Sequence, residues 1–147
     1  MRTTSVNNVT DNDFWQGIMS KQQPVFPRQW QKRYFVLDTK ILKYYKNKSD
    51  YDQNKLPKGV LNFNQIWIEG EYIDKDKKIN LQMKGSKRVF NLWVAKNDEY
   101  GVWKSKLTHS INTSLGTQKQ IQMDQYSKDL EENVDFWRFL RISEEEL

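Results

Sequence analysis

The sequence predicts a mainly β domain, a small antiparallel sandwich or barrel of about seven short strands followed by one amphipathic helix. Three observations carry this. Short runs rich in aromatic and branched residues recur between polar turns. After Ala95 the apolar period changes from two to that of a helix. Aromatic residues make up 14% of the 147 residues, with six Trp, seven Tyr and seven Phe. Each buries ~150–250 Å², so a hydrophobic fraction of 37% suffices for a core.

Taken in order, Phe14 to Lys21 reads as a strand, and Gln22 to Gln29, with Pro24 and Pro27, as a loop. Trp30 to Leu37 is strongly strand-like, Asp38-Thr39-Lys40 is turn material, and Ile41 to Lys46 returns as the second arm of a hairpin. A polar loop is expected over Asn47 to Lys58, then strands at Gly59 to Phe63 and Gln65 to Ile68. Lys78 to Lys84 and Arg88 to Ala95 form a further hairpin turned at Gly85-Ser86. Asn97 or Asp98 is expected to cap a helix whose apolar positions are Tyr100, Trp103, Leu107 and Ile111.

Charge is unevenly spread. Up to Ile111 there are 20 Lys+Arg against 11 Asp+Glu, and from Asn112 onward 4 against 8. A basic body thus carries an acidic tail, and the body's surplus suits an anionic partner. Without cysteine there is no disulfide, no thiolate nucleophile and no Cys-ligated zinc. The one histidine, His109, sits on the helix beside Ser105 and Ser110, which does not make an oriented catalytic triad. Asp50-Tyr51-Asp52 and Asp74-Lys75-Asp76 lack the Gly and distal Glu of a calcium loop. No apolar run approaches the ~20 residues of a membrane span. We therefore expect a non-enzymatic cytoplasmic protein, soluble or peripheral to a membrane, with no metal or cofactor. Nucleic acid is not expected as a partner, because strand alternation commits many of the rings near Lys32 and Arg33 to the core.

Gly17-Ile18-Met19-Ser20-Lys21, then Trp30 to Leu37, then Leu42-Lys43-Tyr44-Tyr45, with Trp103 in the closing helix, resembles the pleckstrin-homology (PH) family from Asp13 to Ile111. The resemblance implies a PH-like, seven-stranded, bent antiparallel barrel or sandwich capped by a C-terminal helix that Trp103 seals. It also implies a basic pocket for phosphoinositide headgroups. The family's motif places a Lys at the end of the first strand and two basic residues, spaced by one, on the second. Lys21 matches the first position and Arg33 the last, whereas the middle position is Gln31. Lys32 does not replace it, since alternation sends it to the opposite face. Tyr44 matches a pocket-wall tyrosine, and Arg28, Lys43, Lys87 and Arg88 are expected to add charge. Val25 and Phe26 form an apolar loop tip suited to dipping into a bilayer.

Two partners therefore stand open: an anionic membrane lipid, bound weakly or with low selectivity, or a protein held by the sheet face or tail helix. The organisation expected is a flexible leader at 1–12, the PH domain at 13–111, and a helical extension or start of a following segment at 112–147. In that last segment Gly116 is expected to end the first helix. Ile121, Met123, Tyr126, Leu130, Val134 and Trp137 form an approximate stripe running into the aromatic run Phe136 to Ile142. Ser143 and Glu146 form a capping box with no helix behind it.

Overall fold

The computed structural model of the chain describes residues 13–146, with side chains described through Asn133. The expected leader lies outside these residues. So do the side chains of Val134, of the aromatic run and of the expected capping box; the backbone there corrects that last expectation, since Ser143 to Glu146 continue a helix that starts at Leu115 and Ser143 begins no new one.

The strands are β1 (Phe14–Gln22), β2 (Trp30–Asp38), β3 (Ile41–Tyr45), β4 (Gly59–Asn62), β5 (Ile68–Ile73), β6 (Lys78–Met83) and β7 (Val89–Trp93). Among the described residues three α-helices accompany them, α1 (Lys48–Asp52), α2 (Asn97–Asn112) and α3 (Leu115–Glu146), with a 3-10 turn at Asp74–Asp76. The strands form one antiparallel sheet in the order β4-β3-β2-β1-β7-β6-β5, unclosed, with β4 and β5 as its edges.

Alternation decides what each face buries. Met19, Phe35, Leu42, Leu61, Ile68, Leu81 and Phe90 put every strand into one buried cluster, to which α2 adds Tyr100, Trp103, Leu107 and Ile111. A sheet that turns one face of all seven strands onto the same cluster must curl around it. Trp103 is 1% exposed and meets Phe35 edge-on at 6.4 Å, so the helix seals the core as expected.

The other face of β2 and β3 carries a smaller cluster of Tyr34, Val36 and Tyr45. Its cover corrects one expectation: the segment Asn47 to Lys58 is not all loop but opens with α1. Asn47 caps that helix by accepting from the Asp50 N–H at 2.9 Å, and Lys48 pairs with Asp52 one turn on. The short helix forms because it brings Tyr51 against Tyr34 and Tyr45, at 5.6 and 5.3 Å between ring centroids.

Three boundaries also move. The strand expected at Gln65 to Ile68 begins only at Ile68, because the Gln65 and Ile66 N–H groups turn back to the Asn62 carbonyl. Helix α2 starts at Asn97 with Lys96, which offers no side-chain cap, at the cap position, and Asp98 inside the first turn accepts from the Glu99 N–H at 2.9 Å. Gly116 does not end a helix but lies in the first turn of α3. A Cβ there would sit 2.3 Å from the Phe63 carbonyl oxygen and 2.6 Å from that of Ile66, so the glycine serves close approach rather than termination. Its N–H donates to Phe63 O, while Asn64 Oδ1 accepts from the Leu115 N–H at 2.9 Å.

Candidate functional site

Sheet register brings three connections to one end of the curl. Gln22 pairs with Trp30 across the β1–β2 loop, Tyr34 pairs with Tyr45 beside the β3–β4 connection, and β1 runs along β7 toward the β6–β7 turn, Lys21 pairing with Leu92 and Gln22 accepting from the Asn91 amide at 3.2 Å. Gly85, with φ of 82°, makes that last turn. Gln82 then holds it by donating to the carbonyl oxygens of Ser86 and Arg88. These contacts present Lys87 and Arg88 toward β1 on an ordered loop.

Lys21 lies at the centre. It projects from the same face of β1 as the buried Met19, so its stem enters the apolar rim and its ammonium rests 5.1 Å from the Phe90 ring centroid and 5.4 Å from that of Tyr44. Arg88 lies 4.7 Å over the same Phe90 ring. Burial, then the charges of Arg88 and Arg33, hold the Lys21 pKa below the ordinary lysine value. Several cations therefore crowd a partly desolvated rim.

Two cavities open on either side of Lys21. One, of about 260 Å³, is lined by Lys21, Arg28, Lys87, Arg88 and Phe90, among others. The second, of about 170 Å³, is lined by Lys21, Gln23, Gln31, Arg33, Tyr44 and Lys58. Among the described residues no carboxylate lines either. Six of the expected contact residues are thus brought together, Lys21 at both cavities. Lys43 is the exception: it shares its face with Tyr45 and pairs with Val36 and Val60, on the opposite side of β3 from Tyr44, and lines neither cavity. Odd and even positions of one strand cannot serve the same pocket.

Gln31 has a definite place. It faces the second cavity with Arg33 and accepts a hydrogen bond from that guanidinium, whose other nitrogen donates to the Lys32 carbonyl at 2.9 Å. Sequence reasoning missed Lys58 and Gln23. The Lys58-Gly59 dipeptide before a strand was the one available signal, and it is weak. At the loop tip, Phe26 is 92% and Val25 68% exposed, so neither packs on its own loop.

A family model described as PH domain matches residues 14–125. The chain belongs to the PH domain family. PH domains are modules that bind membranes or proteins and are typically non-catalytic. This PH domain is 30% identical over 105 residues, 69% of its length, to human oxysterol-binding protein-related protein 6. It is 30% identical over 112 residues, 76% of its length, to a PH domain-containing protein of Dictyostelium discoideum. The chain spans only 10% of the first relative and 24% of the second. Among solved structures, the PH domain of human oxysterol-binding protein-related protein 11 superposes with a TM-score of 0.56 at 23% identity, covering 69% of this chain and 82% of that one. The N-terminal PH domain of human ARAP2 gives 0.53 at 22% identity, covering 71% and 84%. At such identities these two likenesses show the fold alone.

Proposed function

We propose that this PH domain attaches reversibly to anionic membranes by holding a polyphosphoinositide headgroup at its basic rim. The observation that carries this is Lys21, half sunk between two aromatic rings with Arg33 and Arg88 nearby and, among the described residues, no carboxylate lining the cavities on either side. Burial first, and then the crowded cations, depress this lysine's pKa, and an anion relieves that crowding; phosphate accepts charged hydrogen bonds from several donors at once. Lys21, Arg33 and Arg88 contact phosphates, Tyr44 donates from its hydroxyl, and Arg28 and Lys87 add charge at the larger cavity. Val25 and Phe26 enter the bilayer between headgroups.

Co-sedimentation with phosphatidylcholine vesicles, doped with either polyphosphoinositide or charge-matched phosphatidylserine, tests the reading. Wild type binds the first more tightly, and Lys21→Ala/Arg33→Ala abolishes the difference. Equal binding to both lipids sinks the headgroup pocket, and no binding sinks the membrane reading.

A protein-binding role is the second reading. It is favoured by α3, whose Ile121, Met123, Tyr126 and Leu130 are all exposed. Substituting these four with polar residues would leave vesicle binding intact under the first reading and abolish partner capture under the second.

A further inference from the structure

The headgroup motif that the chain resembles needs a cation where β2 carries neutral Gln31. We infer that Lys58, just before β4, supplies that missing charge to the cavity holding Lys21, Arg33 and Tyr44. This rests on the phosphoinositide reading and names the residue that restores its charge.

Three observations place Lys58 there. It lines the 170 Å³ cavity together with Lys21, Gln31, Arg33 and Tyr44. Its backbone is fixed against the cavity wall, since the Lys58 N–H donates to the Tyr44 carbonyl at 2.8 Å. The next residue, Gly59, registers with Tyr44 so closely that a Cβ would fall 2.3 Å from the ring. Only glycine lets the chain press onto the tyrosine there and so deliver the preceding lysine to the cavity.

Charge accounting agrees. The carboxylates of the connecting segment are engaged elsewhere, Asp52 by Lys48 at 3.0 Å and Asp50 by Lys55 at 3.5 Å. Among the described residues Lys58 makes no ion pair, so its ammonium remains available to an external anion. Gln31 meanwhile serves as an acceptor for Arg33 and contributes orientation rather than charge. A phosphomonoester in this cavity therefore meets Lys21, Arg33 and Lys58 from β1, β2 and the start of β4.

The ligand chemistry is a phosphomonoester array, carried by a lipid headgroup or by a free inositol polyphosphate. The test uses the full chain with vesicles containing polyphosphoinositide and, separately, with soluble inositol polyphosphate by calorimetry. Lys58→Ala lowers affinity about tenfold, the scale of one charged hydrogen bond. Lys46→Ala, which removes an exposed cation lining neither cavity, changes it less than threefold, as screened surface charge does. In the Lys58→Ala background, Gln31→Lys recovers most of the loss.

Lys58→Ala with undiminished affinity, or a Lys58→Ala/Gln31→Lys protein as weak as Lys58→Ala, overturns the inference while leaving the headgroup pocket standing. Wild type that binds neither probe overturns both. Loss on vesicles alone, with soluble ligand unaffected, also overturns it, because it would assign Lys58 to the bilayer surface instead of the cavity. Thermal melts confirm that each variant is folded, which the exposure of Lys58 leads us to expect.

Discussion

Replacing Lys21 with methionine separates the proposed binding role of this residue from any part it has in holding the fold. The stem, the length and the contact with the Tyr44 and Phe90 rings are retained, while the charge is removed. A charged hydrogen bond to phosphate contributes about 1.5–3 kcal/mol, so affinity for polyphosphoinositide vesicles falls roughly 10- to 150-fold. The cost to the fold runs the other way. Methionine loses two cation–π contacts, each ~0.5–1 kcal/mol, but gains sulfur–aromatic contacts of similar size. It also removes the repulsion from Arg33 and Arg88 that helps lower the lysine pKa. The melting temperature therefore changes by less than about 4 °C.

Linkage gives a sharper check. Below the lowered folded pKa both folded and unfolded Lys21 are protonated, and the penalty of charging a partly buried, crowded ammonium is fully present. As pH rises through the lowered folded pKa, the folded state releases its proton before the unfolded chain does. Wild-type stability then gains relative to Lys21→Met until the ordinary lysine pKa is reached. Parallel denaturant titrations from neutral to alkaline pH, alongside vesicle binding, measure both effects. Unchanged affinity would refute the binding role. A drop of about 8 °C or more would show that Lys21 holds the rim together instead.

Phe26→Ala, at a side chain 92% exposed, leaves the melt unchanged and weakens vesicle binding about tenfold, with soluble inositol polyphosphate binding unaffected in calorimetry. Trp103→Ala opens the sealed end of the core and costs about 3–5 kcal/mol in urea unfolding; a cost under about 1 kcal/mol would contradict its burial against Phe35. Gly116→Ala drives a methyl into the Phe63 and Ile66 carbonyls and costs about 1–3 kcal/mol by the same assay. Its amide N–H, bonded to Phe63 O, then exchanges faster in hydrogen-exchange NMR.

Much of this site was legible in one dimension because strand alternation is local. Strand parity alone separates Phe35 and Leu37 from Tyr34 and Val36, and Arg33 from Lys32. The same parity rule, applied to β3, separates Lys43 from Tyr44. Nearness to the motif in sequence therefore does not bring the Lys43 charge to the pocket. Helix α1 was hidden because five residues carry too little periodicity to rise above a polar loop. The aromatic cluster that stabilises it assembles from β2 and β3, outside its own sequence.

Local pattern alone settles which side chains share a face, where the chain turns, and that a basic β body precedes a helix with Trp103 at its core-facing position. Those properties follow from backbone periods of two and 3.6 residues, which need no partner. Long-range packing is what sets Lys21 between Tyr44 and Phe90, ties Gln31 to Arg33, and brings Lys58 to the lining of their cavity. Each depends on the approach of strands distant in sequence, and in the last case on Gly59 clearing Tyr44, a steric fact that exists only once β3 and β4 are paired.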